Sequence, residues 1–168
     1  PEYKGEELEK IGETGLKSAI LLALNLKNLT SRGRIEAVEG LLPATSKAGI
    51  EKPLIDTCVI DIPTLGMACR ALFELKDKCG LPIGCGAHNA IDTWKGLRKK
   101  MGKQAADPGA AAMSAITVAL GADFVLYGPI EHANFVFPAV AAVDAAYGQL
   151  SIEQGKFPSR NHPIFKIA

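Results

Sequence analysis

The sequence predicts an α/β fold built on a parallel sheet, and three observations carry that prediction. The candidate strands are short, continuous and apolar, which is the composition of strands covered on both faces. Each is separated from the next by a stretch with helical periodicity, so β and α elements alternate. The polar residues at the ends of successive apolar runs, Asn25, Asp56, Asn89 and Tyr127, lie 31, 33 and 38 positions apart, close to the ~30 or more residues of one βα unit.

In chain order, residues 5–15 read as a charged helical opening, because Leu8 and Ile11 recur at helical spacing among Glu7, Glu9 and Lys10. Residues 18–26 form an apolar run, the first strand, ending at Asn25. A helix starts near the Ser31-Arg32-Gly33-Arg34 turn and carries Ile35, Val38, Leu41 and Leu42 at helical spacing; Pro43 is expected to kink or end it before Gly49. The second strand covers 53–60. Thr64 is the expected cap of a helix over 65–78 with Cys69, Leu72, Phe73 and Leu75 on its inner face, closed by Cys79-Gly80. A third strand over 81–85 leads to a helix near 93–100 and to another that Asp107-Pro108 opens and that runs through Leu120. A fourth strand over 123–127, a helix over 134–148 and a polar, proline-containing tail follow.

With 168 residues, 48% of them hydrophobic, the chain can bury one sizeable core, and residues 1–168 are read as one domain. Nineteen basic against 18 acidic residues give a net charge of +1, which offers no long-range field for nucleic acid. The densest basic cluster, Lys99, Lys100 and Lys103, reads as a solvated helix face. Cys58, Cys69, Cys79 and Cys85 include no CxxC pair and no matching histidine spacing, so neither a zinc site nor a disulfide framework is expected. Reduced thiols fit a cytoplasmic protein. Apolar runs such as 19–24 fall short of the ~20 residues of a membrane helix, Asp123 breaks the alanine-rich stretch 110–126, and no signal-peptide pattern is visible, so no membrane span is expected.

Ligands of parallel folds gather at the carboxyl ends of the strands, which directs attention to Asn25, Asp56, Asn89 and Tyr127. Asn89 stands among Gly84, Gly86, Ala87 and Ala90, small residues that let a flat ligand approach the backbone, although an Asn before Ile91 also suits helix capping. Asp56 lies inside an apolar strand, where a carboxylate must be hydrogen-bonded, whether by loop amides or by a ligand. Asp61 competes with it, since Ile60-Asp61-Ile62-Pro63 also ends an apolar run. His88 and His132 lack partners at metal-ligand spacing and read as satisfied polar residues, and no metal site is expected. Gly12-Glu13-Thr14-Gly15 and Gly84-Cys85-Gly86 complete no GxGxxG fingerprint, and no GxxxxGK[ST] loop exists. Cys85, the thiol at the proposed rim, reads as a buried strand residue.

Four stretches taken together, Ser18-Ala19-Ile20-Leu21-Leu22-Ala23-Leu24-Asn25, Pro53-Leu54-Ile55-Asp56-Thr57, Gly84-Cys85-Gly86-Ala87-His88-Asn89-Ala90 and Gly121-Ala122-Asp123-Phe124-Val125-Leu126-Tyr127-Gly128-Pro129-Ile130-Glu131, closely resemble the H-subunit family of archaeal tetrahydromethanopterin S-methyltransferase. The likeness runs over essentially all 168 residues. More distantly the chain is similar to the methyltetrahydrofolate:corrinoid methyltransferases, TIM barrels that hold a pterin at the strand C-termini. The resemblance implies a TIM (β/α)8 barrel of which this chain is roughly the C-terminal half, about four βα units.

It also implies methyl transfer from methyl-tetrahydromethanopterin to the cobalt of a corrinoid, a cobamide carried by a partner protein, within the methylation of coenzyme M in methanogenesis. The chain would then be a homodimeric, cytoplasmic member of a membrane-associated methyltransferase complex, peripheral to the membrane and with no metal of its own. The family's catalytic Asn falls on Asn89: a tertiary amine leaves poorly without a proton or hydrogen bond, and an amide can donate or accept as the pterin changes protonation. Its strand-end Asp falls on Asp56, which would accept paired hydrogen bonds from the pterin's amino-amidine edge. Asn25, Gly86 and Tyr127 are the further pterin-contact positions. The rival readings are a methyltetrahydrofolate:corrinoid protein methyltransferase and a non-catalytic binding or assembly module of the complex.

Overall fold

Four parallel strands lie side by side in the order in which they occur along the chain: β1 (Ser18–Leu22), β2 (Lys52–Asp56), β3 (Ile83–Cys85) and β4 (Phe124–Val125). This computed structural model describes residues 5–167. Helix α1 (Gly5–Glu13) precedes the strands; α2 (Ser31–Lys47), α3 (Ile62–Cys79), the single turn α4 (Asn89–Asp92), α5 (Lys95–Met101) and α6 (Ala106–Ala119) run between them, and α7 (Ala133–Glu153) follows, with short 3-10 turns at Lys103–Ala105, Ile130–His132 and Pro163–Phe165. The α/β class and the parallel sheet expected from sequence are both present.

Register decides which residues share a face. Leu22 pairs with Asp56, Asp56 with Gly84, and Gly84 with Phe124, a row that crosses the whole sheet at its carboxyl end. Alternation puts Leu21, Ile55, Ile83 and Cys85 on the opposite face, where they are 6%, 0%, 0% and 0% exposed. That face is covered: Ile55 and Ile83 pack with Ile35 and Val38 of α2 and Leu72 and Leu75 of α3, and Cys85 packs with Leu65, Cys69 and Met113 from α3 and α6. The face of the cross-sheet row is open. Ile20 and Leu22 there are 52% and 46% exposed, so the sheet is covered on one side, not on both as the apolar runs suggested. Sequential strand order is the reason, because every crossover returns its helix to the same face.

The strands stop earlier than their apolar runs. β1 ends at Leu22 because Leu24 N–H turns back onto the Leu22 carbonyl and the Asn25 side chain accepts from Lys27 N at 3.0 Å. β2 ends at Asp56 because the next carbonyls, of Thr57 and Cys58, are taken by Arg34. Helix α3 begins before Thr64: Asp61 is its cap, accepting from Thr64 N at 3.0 Å, while Thr64 Oγ1 accepts from Asp61 N at 2.9 Å in a reciprocal capping box. Gly80, at φ +61°, closes that helix in the left-handed conformation. Cys69, Leu72 and Leu75 face inward as expected, but Phe73 is 63% exposed. Pro43 does not end α2, which continues to Lys47. The last helix runs past Gly148 to Glu153, and Gly148 leaves room for the His162 ring of the tail, Cε1 lying 2.7 Å from where a Cβ would sit. Among the described residues one stretch, Ile130–Glu153, is long and apolar enough by composition to cross a membrane, at a mean hydropathy of 1.4. Here it carries α7, which packs along α6.

Candidate functional site

The carboxyl ends of β2 and β3 bring together Asp56, Gly86 and Asn89. Asp56 is the last residue of β2 and faces the open side in the Leu22–Asp56–Gly84–Phe124 row. Its side chain is held by two connections: Oδ1 accepts from Cys58 N at 2.8 Å in the loop that follows, and Gly86 N–H, just after β3, supplies a second backbone donor. Burial pushes its carboxyl above the ordinary carboxylate range; the two amides and the nearby His88 only partly oppose this. The loop amides expected of a buried Asp are therefore real, and they leave acceptor capacity on the carboxylate.

Two glycines clear the ground next to it. A Cβ on Gly84 would lie 2.1 Å from the Phe124 carbonyl oxygen and 2.7 Å from its ring, so only glycine lets β4 pair here with Phe124 over the row. The same atom on Gly86 would sit 3.2 Å from Asn89 Nδ2.

Asn89 does not cap the helix it opens. The turn α4 has His88 at its cap position with no side-chain capping bond, and the Asn89 amide reaches instead to the β2–α3 loop, Nδ2 donating to the Val59 carbonyl at 3.0 Å. A carbonyl only accepts, so the orientation of the amide is fixed: one Nδ2 hydrogen is committed to Val59, while the second and the Oδ1 lone pairs have no partner among the described residues. Asn89 is half-buried, at the edge of the open face.

The loop that supplies these contacts is shaped by Arg34, which sequence reasoning missed. Arg34 is 0% exposed. Its Nε donates to the Thr57 carbonyl at 2.9 Å and Nη2 to that of Cys58 at 3.0 Å, while Nη1 donates to Leu29 and, at 3.3 Å, to Thr30. One guanidinium thus ties the β1–α2 loop to the β2–α3 loop and holds Cys58 at φ +62°, a left-handed conformation uncommon outside glycine. That conformation aims Cys58 N at Asp56 and leaves the Val59 carbonyl for Asn89. A signal was present in the sequence: Arg34 falls in line with Val38, Leu41 and Thr45 on the buried stripe of α2.

Two predicted positions are not drawn into this cluster. Asn25 lies at the same end of the sheet, in the loop after β1, but its side chain is engaged with its own loop through Lys27 N. Tyr127 lies beyond β4 with its ring edge-on to Phe137 of α7, centroids 5.3 Å apart, so the ring belongs to the β4–α7 packing. Asp61, the competitor of Asp56, is occupied as the α3 cap. Cys85 is 0% exposed with its thiol pushed up by burial, as expected of a strand residue, but it is not alone at the rim: Cys58, 8% exposed, sits in the loop next to Asp56, and burial raises its thiol as well. Neither is set up as a thiolate nucleophile. No group of three or more His, Cys, Asp or Glu side chains placed to hold a metal ion occurs among the described residues.

Known proteins supply the last observation. A family model described as tetrahydromethanopterin S-methyltransferase MtrH subunit matches residues 1–157. The H subunit of the tetrahydromethanopterin S-methyltransferase of Methanosarcina acetivorans is 35% identical over 178 residues, covering 96% of this chain and 56% of the relative. The corresponding protein of Methanothermobacter thermautotrophicus is 37% identical over 172 residues, with the same 96% and 56% coverage. That of Methanocaldococcus jannaschii is 34% identical over 182 residues, covering 96% and 57%. The chain spans about half the length of the curated relatives it matches.

Proposed function

The chain belongs to the MtrH family of tetrahydromethanopterin S-methyltransferase, and from that premise we propose that it binds methyl-tetrahydromethanopterin at the carboxyl end of its sheet and serves methyl transfer to the cobalt of a corrinoid on a partner protein. The observation that carries the reading is the convergence of Asp56, Gly86 and Asn89 on the open face. Asp56 offers a carboxylate at a strand end to the paired N–H donors of a pterin edge, and Gly86 leaves room for the Asn89 amide to lie close beside it. Asn89, beside the same glycine, keeps an amide hydrogen and its carbonyl oxygen without a partner among the described residues.

In the transfer the N–CH3 bond would break with its electron pair left on the pterin nitrogen, the methyl would pass to the electron pair of the partner's cobalt(I) corrinoid as acceptor, and the nitrogen would take up a proton. Asn89 is the catalytic residue in this reading. Its amide meets the developing charge on the departing nitrogen already oriented by Val59, so little reorganisation remains at the moment of reaction. The corrinoid would supply the metal chemistry, and this chain's part is to bind, orient and hydrogen-bond the pterin.

The sheet itself supports a place in a TIM (β/α)8 barrel. Parallel strands in sequential order, with helices on one face and an apolar open face, are what a segment of barrel wall presents; we assign the segment to the C-terminal half. Its relatives are named as one subunit of a methyltransferase, which supports a place inside a multi-protein complex; we further propose that the chain is a homodimeric, cytoplasmic member of it, peripheral to the membrane.

Calorimetric titration with methyl-tetrahydromethanopterin, followed by single-turnover transfer to a cobalt(I) corrinoid protein, tests the reading. Saturable binding is expected, and Asn89→Ala should slow transfer by ~10²-fold or more while affinity falls less. Absence of binding to the wild type overturns the proposal. An unchanged rate in Asn89→Ala removes that residue from the mechanism.

A further inference from the structure

His88 is a titratable side chain next to the Asp56–Gly86–Asn89 cluster that the proposed mechanism leaves unused. Its Nδ1 lies 2.8 Å from the Leu126 carbonyl oxygen, beyond the end of β4. A carbonyl can only accept, so Nδ1 carries the hydrogen, and in the neutral imidazole Nε2 is then a bare acceptor. Nothing among the described residues donates to it.

The ring has a fixed seat. Its Cγ and Cδ2 lie 3.1 Å from where a Cβ on Gly128 would be, and Gly128, at φ +87°, has a conformation that disfavours any other residue. On the other side Cε1, the carbon bonded to both ring nitrogens, lies 3.7 Å from the Cβ position of Gly86, whose nearest neighbour is Asn89 Nδ2 at 3.2 Å. His88 and Asn89 therefore close over the same glycine from adjacent chain positions.

We propose that His88 is a further ligand-facing residue of this site, with Nε2 accepting a hydrogen bond from an N–H of the bound pterin. The inference rests on the pterin reading of the site. The bland alternative is that His88 merely ties the β3–α4 connection to β4 through Leu126. The two ring nitrogens have separate jobs under the proposal, so two substitutions separate them. His88→Asn keeps an N–H near the Nδ1 position for Leu126 and has no atom at Nε2. His88→Gln places its amide near Nε2 and gives up the Leu126 bond.

With methyl-tetrahydromethanopterin as the titrant, His88→Asn is expected to bind ~10-fold more weakly, the value of one hydrogen bond at the upper end of the usual range, with its thermal midpoint nearly unchanged. His88→Gln should bind more tightly than His88→Asn although it is the less stable protein. Equal affinity of His88→Asn and wild type overturns the proposal, as does a His88→Gln variant that binds no better than His88→Asn. Nitrogen NMR of the wild type serves if a variant fails to fold: the Nε2 resonance should be of the unprotonated type and move when the pterin is added, and a stationary resonance overturns the inference. A wild type that binds no pterin takes down the functional reading and this inference with it, whereas binding that is indifferent to His88 takes down this inference alone.

Discussion

Replacing Arg34 with methionine removes the group on which the geometry of the site rests. The guanidinium is fully buried and donates to the carbonyls of Leu29, Thr30, Thr57 and Cys58. Methionine fills much of the same volume, so the loss is chiefly polar. Thr57 and Cys58 oxygens lie in the buried part of the network, and each acceptor left unmade costs about 1–3 kcal/mol, so that ~4 kcal/mol is the central value for the pair. Part is recovered, since burial disfavours the charged guanidinium and its removal ends that penalty. Relaxing Cys58 from φ +62° returns ~1 kcal/mol more. The net expectation is a loss of about 2 kcal/mol, read as a lower urea midpoint at unchanged m-value. Amide exchange at Cys58 should quicken, because its N–H depends on Asp56. Lysine at this position keeps the charge but not the planar fork and should fall between the two. An Arg34→Met variant within about 0.5 kcal/mol of wild type, the usual spread of neutral substitutions, with unaltered exchange at Cys58, would refute the reasoning.

Asp56→Asn replaces an acceptor oxygen by a donor and should weaken methyl-tetrahydromethanopterin binding by about 1.5–3 kcal/mol in a calorimetric titration. Asp61→Asn, which alters a helix cap, should cost ~1 kcal/mol of stability or less and change affinity little. Because burial raises the Asp56 carboxyl above its ordinary 3.8, the folded protein holds that proton longer than the unfolded chain: its contribution to stability is fully present below the ordinary value and is lost as pH rises through the raised one. Urea unfolding across that acid range should show this component in the wild type and not in Asp56→Asn. Gly84→Ala drives a Cβ to within 2.1 Å of the Phe124 oxygen, so β4 must give way, and a loss of at least 1–3 kcal/mol, about the cost of overpacking, should appear in thermal unfolding.

How much of this was legible in the sequence depends on which force decided each feature. Strand positions were readable because burial in a parallel sheet needs continuous apolar runs, and Ile55 and Ile83 sit where those runs are densest. Strand ends were not, because side-chain bonds to backbone set them. The run from Leu54 to Ile60 looks continuous, yet β2 stops at Asp56 where Arg34 captures the next carbonyls. Thr64 reads as a capping residue from its type and does take part in the cap, but at the other end of a reciprocal pair, since Asp61 and Thr64 are both good caps and only geometry ranks them. Phe73 fits the helical stripe by period and still lies outside, because Leu72 and Leu75 fill the contact with the sheet. Asp56 and Asn89, singled out by type and spacing, lie on neighbouring connections at the carboxyl end of the sheet, with the Asn89 amide bonded to the loop that follows Asp56. The direction of the Tyr127 ring was not legible that way, as it follows from Phe137, ten positions on in another element.

The arrangement of charge explains why a single acid can serve this site. An ionised carboxylate that is 9% exposed is stable only if it is paired, and the ready solution would be Arg34, whose guanidinium binds the very loop that holds Asp56. Arg34 instead directs its hydrogen bonds at backbone carbonyls. Asp56 receives only the neutral amides of Cys58 and Gly86, which use about half of its roughly four acceptor sites. A salt bridge with Arg34 would have saturated the carboxylate and cancelled its charge. Left as it is, the group is strained toward protonation and gains most from whatever next brings it N–H donors from the open face. A ligand with paired N–H groups would therefore lower the Asp56 carboxyl back toward its ordinary range as it binds, so its affinity should be strongest at a pH where the free site is already ionised and weaken as acid restores the proton.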